Sequence, residues 1–99
     1  SAASDVYKRQ SINDVSKETQ AKIAQRMHPE DLKWMMDFVD NVPNRKITVE
    51  QEKNGRYVAE MLGINPDQPN GKLAAAFDRF IENNPGLLSR IKSGKGIAE

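Results

Sequence analysis

The chain has 99 residues, with 15 basic and 14 acidic side chains, 37% hydrophobic residues and no cysteine. That length supports one small domain with a single core, and the balanced charge argues against a protein whose main work is coating nucleic acid or anionic membrane. Without cysteine there are no disulfides and no thiolate metal sites, and the apolar runs are too short to span a bilayer, which leaves the cytoplasm as the default compartment.

Residues 1–10 read as a translated laboratory oligonucleotide. Asp5 to Gln10 back-translate as GAT GTG TAT AAG AGA CAG, an end sequence recognised by a transposase used to fragment DNA. Ser1-Ala2-Ala3-Ser4 back-translate in the same frame to the adapter that precedes it. The segment is expected to be non-native and disordered, and it is left out of fold reasoning. It points to shotgun DNA of environmental, prokaryotic or phage, source and leaves the natural N-terminus open. Without it the chain carries 13 basic and 13 acidic residues.

The remainder has helical periodicity throughout. From about Ser16 to Met27, the apolar stripe Thr19, Ile23 and Met27 predicts a modest helix packed by one edge. Pro29, followed by Glu30 and Asp31, suits the first turn of a second helix running to about Asn41. On it Leu32, Trp34, Met35, Met36, Phe38, Val39 and Val42 sweep roughly 200° at about 100° per residue. That arc is wider than one neighbour covers. The helix is therefore either central or shows a flank to a partner, with Trp34 and Phe38 as anchors in the second case.

Val42 to Lys46 reads as a loop, and Thr48 with Gln51 has the form of a capping box. A third helix is expected from about Val49 to Leu62, polar through Arg56 and anchored only by its later half, with Tyr57, Val58, Met61 and Leu62 on one face. Ile64 to Gly71 is rich in turn formers. A fourth helix over about Lys72–Asn83 carries the clean stripe Leu73, Ala76, Phe77, Phe80 and Ile81. Asn84-Pro85 opens a short fifth helix with Leu87, Leu88 and Ile91, and residues 94–99 are expected to fray. The expected architecture is a single all-α domain over 11–93, an orthogonal or bundle-like arrangement of four to five helices, with Trp34, Phe38, Leu73, Phe77 and Phe80 central to its core.

Val58-Ala59-Glu60-Met61-Leu62-Gly63-Ile64-Asn65 resembles the first helix and turn of helix-turn-helix DNA-binding domains, with alanine and then leucine-glycine-isoleucine at the usual offsets. The resemblance covers eight residues, and Pro66, Pro69, Asn70 and Gly71 follow where those families enter a recognition helix. It implies a DNA-binding function, for which Arg45, Lys46, Lys53, Arg56 and Lys72 are the phosphate-binding candidates. The same residues also fit a Schellman cap, with Gly63 left-handed and Ile64 folding back on the last turn.

His28 with Glu30, Asp31, Asp37 and Asp40 lacks the spacing of a metal site, so no metal or other cofactor is expected. No serine, histidine and acid arrangement points to catalysis. The leading expectation is a non-enzymatic protein-interaction module, an adaptor, inhibitor or assembly subunit. Its partner is another protein or a second copy of the chain. A helix-turn-helix-like DNA binder is the alternative.

Overall fold

Most of the helices begin at a side chain that closes free backbone amides, and those caps set the element boundaries. The computed structural model describes residues 9–91. Ser11 accepts the Asn13 N–H and starts a 3-10 turn, Ile12–Asp14. Ser16 accepts the Thr19 N–H at 3.1 Å and opens α1, Lys17–Arg26. The Asp31 carboxylate accepts the His28 N–H at 3.1 Å, fixing the start of α2, Pro29–Asn41, with proline in its first turn. At α3, Val49–Met61, the capping box is reciprocal: Thr48 Oγ1 accepts from the Gln51 N–H and Gln51 Oε1 accepts from the Thr48 N–H, both at 3.1 Å. Two orphan donors are thereby satisfied at once. α4 spans Asn70–Asn83, and α5 is helical over residues 86–91.

The domain is all-α, and among the described residues the only β-type pairing is an isolated parallel bridge between Arg9 and Ile64. α2 is the central element and packs against both α3 and α4. Trp34 meets Tyr57, Phe38 meets Gly55, and Asn41 donates to Gln51 at 3.1 Å. Numbers rise along α2 as they fall along α3, so the two helices run antiparallel. On the other flank of α2, Phe38 and Phe77 of α4 pack edge to face with ring centroids 5.4 Å apart. Met35, Phe38, Val58, Leu73, Phe77 and Phe80 are fully sealed from solvent. Each large apolar side chain of this kind contributes about 1.5–3 kcal/mol by burial.

Three placements depart from the periodicity. Thr19 is exposed and Gln20 is buried in its place. The Gln20 amide donates to the carbonyls of Ile12 and Val15, and its oxygen accepts from Asn83 and Asn84. A buried amide with each polar atom bonded fills a position that a hydrophobic count gives to its neighbour. Trp34, expected at the centre of the core, is only partly buried at its margin. Gly55, expected in a poorly anchored polar half-helix, is buried, and a Cβ placed there would lie 2.1 Å from a Phe38 ring carbon. Burial along α3 therefore begins at Gly55.

Of the segment read as non-native, residues 1–8 lie outside the described residues. Arg9 lies within them and pairs by its backbone with the turn after α3, donating to the Gly63 carbonyl and accepting from the Asn65 N–H. The tail at 94–99 also lies outside the described residues. Among the described residues no helix is long and apolar enough to cross a membrane.

Candidate functional site

The antiparallel contact of α2 with α3 is closed at Gly55 and borders an open groove beside Tyr57. At Gly55 the backbones approach, and Phe38 fills the space a side chain would take. Beside Tyr57 an open groove of about 730 Å³ lies along the two helices and the end of α1. Glu30 and Trp34, one turn apart, form the α2 wall; Lys53, Tyr57 and Met61, successive turns, form the α3 wall; Ile23 and Arg26 of α1 complete it. The Trp34 and Tyr57 rings meet edge to face at 84° with centroids 6.0 Å apart. Tyr57 remains 55% exposed, although it belongs to an aromatic pair.

The two expected partner anchors therefore separate. Trp34 lines the groove, whereas Phe38 is fully buried against Gly55 and Phe77 and offers no surface to a partner. The exposed aromatic beside Trp34 is Tyr57, which the sequence places on the apolar face of α3 but does not pair with α2. Spacing within one helix shows which residues share a face; it does not show which neighbour leaves that face open.

The five basic candidates have different surroundings. Arg56 is consumed by the loop between α3 and α4: its guanidinium donates to the carbonyl of Pro66, to that of Gln68 at 3.0 Å and to Asn70 Oδ1 at 2.6 Å. Glu52 stands 3.9 Å from its Nε and accepts from Asn70, closing the clamp. Arg56 thus satisfies the acceptors of a proline-rich turn that has few backbone donors of its own. Arg45 occupies a left-handed position, φ 55°, in the turn that ends α2, where Lys46 donates its N–H back to the Asn41 carbonyl. Lys53 lines the groove, and Lys72 borders a separate hollow of about 250 Å³ with Gln10, Ser11 and Arg79.

The segment that resembles a helix-turn-helix turn has Schellman geometry. Gly63 has φ 82° and donates to the Glu60 carbonyl, while Ile64 donates to the Ala59 carbonyl and is buried. That pattern terminates a helix on local grounds alone. Arg90, which the periodicity did not single out, donates to the carbonyls of Ala24 and Met27 and so satisfies the end of α1. Among the described residues no three histidine or acidic side chains converge where they could hold a metal ion.

Searches against protein-family models, curated proteins and solved structures each find no match to this chain.

Proposed function

We propose that the protein is a non-enzymatic interaction module that uses the groove between α2 and α3 to hold a protein partner. The observation that carries this reading is the pair of partly buried Trp34 and exposed Tyr57 on the lining of the groove, beside Met61 and Arg26. Aromatic residues, methionine and arginine are the types enriched where proteins bind one another, and buried Trp, Tyr and Arg supply most hot spots. At about 730 Å³ the open groove has room for side chains of a partner. Tyr57 stays exposed one contact along the helix pair from the sealed Phe38, and with Trp34 it gives the groove an aromatic margin.

A peptide-display selection against the chain tests this reading without presupposing the partner's sequence. Related binders should be enriched, and Tyr57→Ala should abolish their capture while leaving the helical circular-dichroism spectrum intact. Failure to enrich any binder, or binders indifferent to Tyr57→Ala, would contradict it.

A further inference from the structure

The charges around the groove are not neutralised by the fold in the same way. Asp31 is buried and committed to the His28 N–H. Glu30 stands in the first turn of α2, where free amides and the helix dipole favour a negative charge. Arg26 stands in the last turn of α1, a position that would suit a cation, but the carbonyls of Ala24 and Met27 there are already taken by the Arg90 guanidinium. Lys53 is exposed on the α3 wall. Among the described residues neither Arg26 nor Lys53 takes part in an ion pair. Two cations without an ion-pair partner therefore flank an aromatic centre, while Glu30, also without one among the described residues, sits at the start of α2.

The shape restricts the occupant further. The groove is concave, and a second copy of the same groove would present another concavity rather than an insert. Lys53 and Met61 are eight residues apart on one helix, about 12 Å along its axis. That run matches two turns of an incoming helix, whose side chains three and four residues apart point to one face.

We infer that the groove takes an acidic amphipathic helix of a partner protein. Its apolar side chains seat on Trp34, Tyr57 and Met61, and its carboxylates meet Lys53 and Arg26. This rests on the interaction-module reading and adds the partner's chemistry to it. Single-stranded nucleic acid, which also combines stacking with negative charge, is the competing occupant. The aliphatic side chains of Ile23 and Met61 beside the aromatic pair favour the peptide.

Trp34 is the only tryptophan, so its emission reports on the groove directly. The full chain is titrated with three probes: an amphipathic helical peptide of about 18 residues with leucine every third or fourth position and glutamate elsewhere, the same peptide with lysine for glutamate, and oligodeoxythymidylate. The glutamate peptide should give a saturable shift in Trp34 emission, weakening as salt rises from about 0.05 M to about 0.5 M. Its affinity should fall about tenfold in Lys53→Glu and in Arg26→Glu, since each loses one favourable charge pair. The lysine peptide should bind more weakly than the glutamate peptide to the native chain, with the order reversed in the Lys53→Glu, Arg26→Glu double variant.

Equal binding of both peptides, or preference for the lysine form, would overturn the acidic partner while leaving the groove a protein-binding site. Binding of oligodeoxythymidylate alone would overturn the inference and the reading beneath it. No saturable change with the glutamate peptide also overturns the inference, and the display selection then decides whether the groove binds protein at all.

Discussion

Trp34 and Phe38 lie one turn apart on the same helix, and both face α3, yet their surroundings differ completely. Opposite Phe38 stands Gly55, and the ring takes the space a side chain would occupy; opposite Trp34 stands Tyr57, and the two rings meet edge to face on the lining of a groove. The difference is made on α3, by the residue that α2 meets. A glycine in the interior of a helix costs about 1 kcal/mol relative to alanine, and here the contact it permits supplies the compensation. The Phe38 contact at the closed end is sealed, and the Trp34–Tyr57 contact at the open end lines the groove proposed to hold a partner.

The contrast can be broken most severely at the closed end. Phe38→Ala should destabilise the domain by about 4 kcal/mol, through lost burial plus the cavity left between Gly55 and Phe77. For a domain of this size that is a large share of the total stability, and urea unfolding would show it as a lower midpoint. Gly55→Ala comes next: overpacking against the Phe38 ring costs about 3 kcal/mol, offset by about 1 kcal/mol of helix propensity, so the same assay should register a net loss of about 2 kcal/mol.

Arg56 offers a sharper test of how basic residues are used. Arg56→Lys retains the charge but loses the planar fork that serves three acceptors, and the domain should lose about 1–2 kcal/mol. A surface arginine held only for its charge would tolerate the change. Arg45→Gly should act in the opposite direction, raising stability by about 0.5–1 kcal/mol, because glycine takes the left-handed position at φ 55° without the steric penalty. At the open end, Tyr57→Ala should cost about 1 kcal/mol or less.

Much of the fold was legible in local chemistry. The Thr48 and Gln51 box, the proline turn of α2 and the Gly63–Ile64 cap each depend on residues a few positions apart, and each lies where the sequence places it. The stripe of α4 was equally plain, since Leu73, Phe77 and Phe80 recur at helical spacing and all are sealed. What was not legible depends on contacts between distant segments. Gln20 bonds across more than sixty residues to Asn83 and Asn84, and no local pattern marks it. Gly55 carried a faint signal, because an unexplained glycine within a helix suggests a packing cause. On sequence grounds Trp34 is a partner anchor and Lys53 a phosphate-binding candidate, and both line the groove. Tyr57 and Arg26 were not named, because their role comes from the elements that face them.

The most direct test is a backbone amide chemical-shift map of the full chain titrated with the glutamate-rich amphipathic peptide. The account predicts that the largest shifts fall in residues 23–34 and 53–61, with little change around Phe77 or in the loop clamped by Arg56. Shifts centred instead on Arg45, Lys46 and Lys72, or spread evenly through the core, would contradict the assignment of the α2–α3 groove as the working surface.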